Sequence, residues 1–304
     1  MIIIKIGFLY ESLNELGIEA TKDVLLKDHT SFKTGGTTPL LIEPKSKEEV
    51  FNALNLLKEY NVPFTVLGNG TNILALDEGT DKVIVKIADK MTELCLEGED
   101  VISVSAGTKM VKLCKFALEN SLSGLEFAYG IPGAVGGAVF MNAGAYGGEM
   151  KNVLTEITHI TPDLKIETVK AEDAKLSYRH SVYKENGCII LSAKVKLVKG
   201  NKDCIKSAME DFLSRRKNKQ PLEYPSAGST FKRPDGYFAG ALIEQCGLKG
   251  KSIGGAEVSE KHAGFVINKN NATSKDILDL IKFVSETVKN ETGVTLEPEV
   301  IVLK

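Results

Sequence analysis

The sequence predicts an α+β protein built from two domains, and three observations support this. The chain has 304 residues, a length that corresponds to about two domains of ordinary size. Residues 39–67 read as a strand, a helix and a second strand, and residues 153–198 as successive strands. The pattern changes near residue 200, where a long helix follows, so we predict domains over residues 1–200 and 201–304.

The strand–helix–strand unit comes first. PLLIEP (39–44) is apolar enough for a buried strand, and Ser46 followed by Glu49 has the spacing of a capping box. Pro63 then precedes a second strand, FTVLG. The intervening helix presents one apolar face, formed by Val50, Ala53, Leu54 and Leu57.

The middle of the chain predicts mainly strands. They cover 83–87, 101–107, 153–161, 165–171 and 188–198, and Pro162-Asp163 forms a turn between the third and the fourth. One helix interrupts them, with Thr108 as its cap and Asn120 as its end. The residues predicted to face inward on this helix are Val111, Cys114, Ala117 and Leu118.

The last hundred residues alternate helix and strand. A helix from about Asp203 places Ile205, Met209 and Phe212 on one face. A short helix covers 242–246, the strand AGFVIN ends at residue 268, and a helix runs from Ser274 to about Asn290. A final strand, VIVL, closes the chain, and the apolar start MIIIKIGFLYE predicts an edge strand or helix.

Composition excludes several classes of protein. The formal charge of −2 means that the chain lacks the excess of positive charge with which proteins bind nucleic acid or an anionic membrane surface. No apolar run approaches the ~20 residues that span a bilayer. The five cysteines are odd in number and form no C-x-x-C, and the four histidines form no H-E-x-x-H. We therefore expect neither a disulfide framework nor a bound metal. The compartment predicted for the protein is a reducing one, the cytoplasm.

Two glycine-rich segments are candidates for binding phosphate. The loop GNGTN (68–72) follows a strand, but Ile73 stands where a dinucleotide fingerprint needs glycine, and no G-K-[ST] appears. Taken alone, this loop fits a tight turn equally well. The segment 128–148 adds seven glycines, so the pair could surround a pyrophosphate with backbone N–H donors.

Four further features have both a structural and a functional interpretation. Arg179 in YRHSVYK could pack on tyrosine rings or bind a carboxylate. The basic run 215–219 could complement a helix dipole or hold a phosphorylated substrate. Ser229 could be a turn residue or a proton donor. Glu297 and Glu299 share one side of a predicted strand, where at most one would be buried.

Together these segments resemble the UDP-N-acetylenolpyruvoylglucosamine reductases, a family of flavoenzymes in peptidoglycan precursor synthesis. Their order and spacing carry the resemblance across nearly the whole chain. The matching segments are HTSFKTGG (29–36), LGNGTNIL (67–74), GIPGAVGGAVFMNAGAYGG (130–148), YRHSVYK (178–184), PSAGSTFKRP (225–234), GALIEQCGLKG (240–250), GGAEVSEKHAGFVIN (254–268) and LEPEV (296–300).

The resemblance implies a fold and a cofactor. Residues 1–200 would form an FAD-binding domain of the vanillyl-alcohol-oxidase (PCMH) type with two α+β subdomains. Residues 201–304 would form an α+β substrate-binding domain whose last strand returns to the active site. FAD would be bound non-covalently, because GNGTN offers neither His nor Cys for a tether. The residues implied to bind it are Gly68, Asn69, Gly70, Thr71, Asn72, Gly130, Ile131, Pro132, Gly133, Gly136 and Gly137.

The resemblance also implies a reaction. NADPH would reduce the flavin, and a cytoplasmic, monomeric enzyme would then reduce UDP-N-acetylglucosamine enolpyruvate to UDP-N-acetylmuramate. Ser229 would protonate the substrate, with Arg179 and Glu299 around the enol carboxylate and Glu297 as the second candidate for the carboxylate role. Substrate contacts are implied for Tyr178, Lys217, Arg233, Lys249 and His262.

Some positions depart from the family pattern. Ile301 stands where many members carry Arg, and Arg233 where some carry Asn. The 50 positions between Arg179 and Ser229 match a shorter subtype without an inserted aromatic loop. Two other functions stay open: a flavin oxidase acting on another substrate, and a non-catalytic protein that binds a nucleotide or flavin.

Overall fold

The structure, a computed structural model, describes residues 2–304. Met1, the first residue of the predicted N-terminal element, lies outside the described residues. The α-helices of the described part are α1 (Ile2–Glu15), α2 (Lys47–Glu59), α3 (Met110–Glu119), α4 (Val135–Phe140), α5 (Lys202–Lys219), α6 (Ala239–Gln245) and α7 (Ser274–Thr292).

The strands are short, and half of them belong to sheets of two or three strands. They are β1 (Ala20–Leu25), β2 (Thr37–Ile42), β3 (Phe64–Leu67), β4 (Ile73–Ala75), β5 (Val83–Lys86), β6 (Leu94–Glu97), β7 (Val101–Ser105), β8 (Leu122–Ser123), β9 (Gly144–Ala145), β10 (Gly148–Glu149), β11 (Leu154–Ile160), β12 (Ile166–Lys170), β13 (Ile189–Lys196), β14 (Val198–Lys199), β15 (Ser252–Ile253), β16 (Ala256–Val258), β17 (Val266–Asn268) and β18 (Ile301–Leu303).

The chain forms two compact units. Unit 1 contains residues 1–22, 39–69 and 82–215, and unit 2 contains residues 23–38, 70–81 and 216–304. Two segments from the first third of the chain therefore belong with the C-terminal residues. The division into domains at residue 200 stays a prediction.

Unit 1 is built on two sheets. One has the strand order β1-β2-β5-β3, with β5 parallel to both β2 and β3. The other is antiparallel, with the order β12-β11-β13-β7-β6. The turn predicted at Pro162-Asp163 joins β11 to β12 as expected.

Helix α2 begins as its sequence predicts. The Ser46 side chain accepts a hydrogen bond from the Glu49 N–H at 3.2 Å. The Glu49 carboxylate accepts from the Lys45 N–H at 2.8 Å, so it reaches one residue further back than a capping box requires. The predicted inward face is confirmed: Val50, Ala53, Leu54 and Leu57 are all buried.

The predicted start of α3 is wrong by one residue. The helix begins at Met110, its N-cap is Lys109, and no side chain caps it. Thr108 is buried, and its hydroxyl instead donates to the Glu93 carbonyl at 3.4 Å. The buried face is correspondingly different from the prediction: Val111 and Leu118 are only partly buried, and Met110 and Leu113 join Cys114 and Ala117.

Unit 2 has a core of its own. Strands β15, β16 and β17 form an antiparallel sheet, and α7 packs against all three. The terminal strand β18 pairs in parallel with β4, with Ile301 opposite Ile73. Phe32 and Leu74, from the two early segments, are completely buried in this core. Burying these side chains is what ties residues 23–38 and 70–81 to the C-terminal part of the chain.

Helix α7 has strong signals at both ends. The Thr273 side chain accepts from the Asp276 N–H and the Asp276 side chain accepts from the Thr273 N–H, which makes a complete capping box. At the other end Gly293 adopts a left-handed φ of 74°. The predicted start at Ser274 and the stop at Gly293 are confirmed, and the helix runs two residues beyond the predicted Asn290.

The N-terminal segment is helical, as one of the two predicted alternatives had it. None of the helices in residues 2–304 is long and apolar enough to cross a membrane.

Candidate active site

The loop that carries Ser229 has an exposed hydroxyl on a fixed backbone. Ser229 itself is exposed, and Gly228 before it adopts a left-handed φ of 78°. Thr230 after it is completely buried. The Thr230 N–H donates to the Gly264 carbonyl at 2.9 Å, and its hydroxyl accepts from the Val266 N–H at 2.8 Å. These bonds hold the backbone and leave the Ser229 side chain available to a ligand.

Glu299 lies beside this loop. Phe231 and Pro298 form an antiparallel bridge, and the Glu299 N–H donates to the Thr230 carbonyl at 2.8 Å. The continuous strand predicted through both glutamates is wrong, because only this bridge forms before β18 begins at Ile301.

The two glutamates meet different surroundings. The side chain of Glu297 is 68% exposed and forms an ion pair with Lys232, whereas Glu299 is half-buried. Neither is fully buried, in line with the expectation that at most one would be. A carboxylate whose charge is already balanced at the surface is the weaker candidate for a role in the reaction, so the geometry favours Glu299 over Glu297.

The loop that continues from β3 is joined to the same cluster in unit 2. The Asn72 amide donates to the Glu299 carbonyl at 3.1 Å, and the Ile301 N–H donates to the Asn72 carbonyl at 3.0 Å. Gly70 has a φ of 63°, and a Cβ on it would lie 2.1 Å from the His29 carbonyl oxygen. Only glycine therefore fits at position 70.

Ser31 connects this loop to the loop that carries Ser229. Its N–H donates to the Gly70 carbonyl at 3.1 Å, and its hydroxyl donates to the Ser226 carbonyl at 2.6 Å. Unit 2 thus brings three separated segments together: residues 70–72, 226–231 and 297–301.

In unit 1, Arg179 sits on a tight turn. Ser177 and His180 exchange both backbone hydrogen bonds at 3.1 Å, so Tyr178 and Arg179 are the two central residues. Arg179 has a left-handed φ of 54°, a conformation that such turns normally give to glycine. Backbone strain of this kind is concentrated at functional sites.

The Arg179 side chain is half-buried and directed along a small hairpin. One of its terminal nitrogens, Nη2, donates to the Gly144 carbonyl in β9 at 3.4 Å. The guanidinium carbon lies 5.2 Å from the centre of the exposed Tyr178 ring. Arg179 therefore packs on a tyrosine ring as one interpretation of YRHSVYK predicts, and its binding of a carboxylate stays a prediction.

The glycine-rich segment 130–137 lies against strand β7 and the start of α3. The Met110 N–H donates to the Gly133 carbonyl at 3.0 Å, and the Gly136 N–H donates to the Ala106 carbonyl at 2.8 Å. Within this segment and the loop 68–72, Gly137 and Gly68 have open space beside them. No described protein atom lies within 4 Å of a Cβ built on Gly68 or on Gly137.

The remaining predicted residues are divided between the units. Tyr178 is in unit 1, and Lys217, Arg233, Lys249 and His262 are in unit 2. Lys217 is exposed, and its carbonyl accepts from the Lys261 ammonium at 2.9 Å. Arg233 lies 3.9 Å from the centre of the Phe238 ring, and Lys249 donates to the Glu244 carboxylate at 2.7 Å.

His262 supports the backbone near Ser229. Its Nδ1 accepts from the Gly264 N–H at 3.0 Å, and Gly264 in turn accepts from Thr230. Burial lowers the pKa of His262 below its ordinary value, so the ring is neutral at pH 7 and can accept this bond. The structure thus shows that His262 supports the backbone. Its contact with the substrate stays a prediction.

Two family models match the chain. Residues 38–170 match the family model of an FAD-binding domain. Residues 220–303 match the model described as UDP-N-acetylenolpyruvoylglucosamine reductase, C-terminal domain. The match to an FAD-binding domain, together with the open space beside Gly68 and Gly137, defines the class of protein as a flavoprotein.

Individual relatives then identify the family. A UDP-N-acetylenolpyruvoylglucosamine reductase of Clostridium novyi is 50% identical over 93% of this chain and 91% of its own length. One of Clostridium perfringens is 48% identical over 97% and 96%. The crystal structure of UDP-N-acetylenolpyruvylglucosamine reductase from Thermus caldophilus has a TM-score of 0.80 at 36% identity, covering 94% of this chain and 99% of its own. The chain belongs to the UDP-N-acetylenolpyruvoylglucosamine reductase family.

FAD fits the residues present. A pyrophosphate needs close approach to the backbone, and the open sides of Gly68 and Gly137 provide it. The predicted α+β fold with an FAD-binding domain and a distinct C-terminal domain is confirmed. So is the prediction of an FAD-dependent oxidoreductase of peptidoglycan precursor synthesis.

Asn142 is the residue that the sequence analysis missed. It is completely buried in a glycine-rich segment, and its side chain makes three hydrogen bonds. The available signal was an amide following a short apolar stretch, in MNAGAYGG.

Proposed function

We propose that this chain reduces UDP-N-acetylglucosamine enolpyruvate to UDP-N-acetylmuramate with NADPH as electron donor. We further propose that residues 1–200 bind FAD, that residues 201–304 bind the substrate with the last strand returning to the active site, and that the enzyme is a cytoplasmic monomer. The observation that carries the proposal is the geometry of the loop around Ser229. The Ser229 side chain is exposed, while the backbone of Thr230 is hydrogen-bonded to Glu299 and Gly264.

In this proposal, FAD is held mainly by backbone groups of the protein. The residues proposed to hold it are those of loop 68–72 and of 130–137 named above, with Gly68 and Gly137 giving room for the pyrophosphate. When bound, FAD supplies the hydride that NADPH delivers to the enzyme and that ends on the terminal enol carbon of the substrate.

The side chains handle the charge and the proton. As the terminal carbon gains hydride, negative charge develops on the neighbouring carbon and spreads into its carboxylate. The guanidinium of Arg179 can bind that carboxylate with two parallel hydrogen bonds. The Ser229 hydroxyl then transfers its proton to the carbon, and the exposed side chain regains a proton from water.

Glu299 has a more restricted role. A bare carboxylate would repel the developing charge, so Glu299 assists only when it is protonated or paired. Tyr178, Lys217, Arg233, Lys249 and His262 are proposed to contact the rest of the substrate, with Lys217 near the diphosphate. A lysine suits that position because its ammonium acts as a point charge on phosphate.

Stopped-flow spectroscopy of Ser229→Ala under anaerobic conditions tests this function. NADPH should bleach the flavin of the variant as in the wild type, and the enolpyruvyl substrate should restore its absorbance about 10²- to 10⁴-fold more slowly. Ser226→Ala, in the same loop, is the matched control and should restore absorbance at the normal rate.

Other results would contradict parts of the proposal. Normal reoxidation of Ser229→Ala would remove Ser229 as the proton donor. A wild-type flavin that NADPH bleaches but that only oxygen restores would support an oxidase for another substrate. A flavin that NADPH does not bleach would exclude NADPH as the donor.

A further inference from the structure

We infer that Asn142 is a positioning residue for Arg179. This inference rests on the proposed function, in which Arg179 binds the substrate carboxylate. Asn142 has no exposed surface, so it cannot touch substrate or cofactor. Any effect that it has on the reaction must therefore pass through its neighbours.

Asn142 joins three segments of unit 1. Its amide nitrogen donates to the Ser177 carbonyl at 2.9 Å and to the Glu149 carboxylate at 2.6 Å. Its amide oxygen accepts from the Lys151 N–H at 2.9 Å. Ser177 is the first residue of the turn that carries Arg179, and Glu149 belongs to strand β10.

The same hairpin receives the Arg179 side chain. Strand β10 pairs with β9, with Glu149 opposite Gly144, and Gly144 provides the carbonyl that accepts from Arg179. Asn142 therefore fixes the distance between the backbone that holds Arg179 and the strand against which its guanidinium rests. With both amide protons and the amide oxygen bonded, the side chain has a single satisfied orientation.

Two further contacts hold this arrangement. The Ser181 hydroxyl donates to the Phe140 carbonyl at 2.6 Å and ties the far side of the turn to helix α4. At the hairpin tip, the Tyr146 ring stacks on Phe212 of α5 with centroids 4.7 Å apart. The turn and the hairpin are thus anchored at several points, and Asn142 is the side chain that contacts both.

The presence of asparagine at position 142 also has a purely structural explanation. The experiments must distinguish that explanation from a role in positioning Arg179. Asn142 follows α4 with a left-handed φ of 41°. The Asn142 N–H donates to Val139, and the Ala143 N–H to Ala138, which is the Schellman pattern of a helix end. That position favours glycine or asparagine for backbone reasons alone. Asn142→Gly keeps this backbone and removes only the side chain.

The first experiment compares rates in the two half-reactions. Asn142→Gly should retain the flavin spectrum and the rate of bleaching by NADPH, and reoxidation by the enolpyruvyl substrate should slow about 10- to 100-fold, since a catalytic group displaced by about 1 Å loses this much. Asn152→Ala is the matched control. The side-chain oxygen of Asn152 accepts a hydrogen bond from the Glu149 N–H at 2.8 Å, but Asn152 makes no described hydrogen bond to Ser177. The variant should therefore react normally.

A double-mutant cycle shows whether Asn142 acts through Arg179. In an Arg179→Ala background, Asn142→Gly should slow reoxidation no further, because its target is gone. Equal, multiplicative losses in both backgrounds would overturn the inference and leave the role of Arg179 intact. A normal rate for Arg179→Ala alone would instead overturn the role of Arg179, and the inference with it.

A pH profile keeps the inference testable if Asn142→Gly does not fold. In Asn142→Asp, the ionised side chain would face the Ser177 carbonyl and the Glu149 carboxylate, and reoxidation should be slow. Lowering the pH protonates the new carboxyl, which can then donate one of the lost hydrogen bonds. The variant should recover relative to the wild type as pH falls, while its flavin content stays unchanged. A pH profile parallel to that of the wild type would overturn the inference.

Discussion

At the residue scale, two carboxylates two positions apart occupy different surroundings. Glu297 is exposed and paired with Lys232, while the backbone of Glu299 is bonded to Thr230 and Asn72. Side chains two positions apart on an extended chain point to the same side. Their positions in the sequence therefore cannot tell Glu297 from Glu299, and only the groups that contact each one can. Those partners come from distant parts of the sequence.

This difference gives a matched pair of variants. Glu299→Ala should slow reoxidation of the reduced flavin by the enolpyruvyl substrate about 10²-fold or more, because a group at the reacting centre is lost. Glu297→Ala should stay within about twofold, since an exposed ion pair contributes little. Anaerobic stopped-flow reoxidation measures both. A larger loss in Glu297→Ala would show that Glu297 holds the catalytic role.

Residue types alone located part of this site. Ser229 and Arg179 stood out because small or aromatic neighbours surround them in the sequence, and both occupy constrained turns. Asn142 could not be found in that way, because its three partners are Ser177, Glu149 and Lys151. Contacts over such separations are fixed by tertiary packing, which local patterns do not record.

At the scale of elements, the ends of α7 show which sequence signals are reliable. Thr273 and Asp276 cap one end and Gly293 terminates the other, each through a contact within four residues. The start of α3 was mispredicted for the opposite reason. Thr108 has the side chain of a cap, but a tertiary partner, the Glu93 carbonyl, takes its hydroxyl.

The cap of α7 predicts a pH-dependent stability. The Thr273 N–H, bonded to its carboxylate, lowers the pKa of Asp276 below its ordinary value. A carboxyl whose pKa is lowered by folding stabilises the protein above its unfolded-state pKa of about 4, and this stabilisation is lost as pH falls through the folded value. Asp276→Asn should therefore cost about 1 kcal/mol at pH 7.

Thermal melting at several pH values measures this effect. The difference in midpoint between the wild type and Asp276→Asn should shrink as pH is lowered from 7 to 3.5. Asp279→Asn is the control on the same helix. Asp279 makes only an exposed ion pair with Lys275, so its loss should change little. A constant difference for Asp276→Asn at all pH values would contradict the assignment.

At the scale of the whole molecule, each unit has its own buried core. The sequence indicated the change of pattern near residue 200, but not that residues 23–38 and 70–81 belong to unit 2. Phe32 and Leu74 are buried there, and nothing in their local sequence specifies which core they join. Such assignments depend on which apolar surfaces remain to be covered after the larger elements pack.

The open glycines predict how the cofactor contributes to stability. A ligand that binds only the folded state raises the melting temperature, and at a given ligand concentration the rise is larger when the ligand binds more tightly. FAD should therefore raise the midpoint of the wild-type apoprotein. Gly137→Val should reduce this rise, because its side chain would enter the space above Gly137, where no described protein atom lies within 4 Å. The apoprotein itself should melt normally, since valine is no worse than glycine in a helix.

Gly7→Val isolates the effect of the cofactor. Gly7 also lies in a helix, α1, and a Cβ on it would meet no described protein atom within 4 Å. The two variants therefore make the same change in helix propensity and add the same volume in open space. If FAD raises the midpoint of Gly7→Val as in the wild type and that of Gly137→Val much less, the space beside Gly137 is the one that the cofactor fills. Equal rises in both variants would place the pyrophosphate away from α4 and leave the glycines of 130–137 with a packing role only.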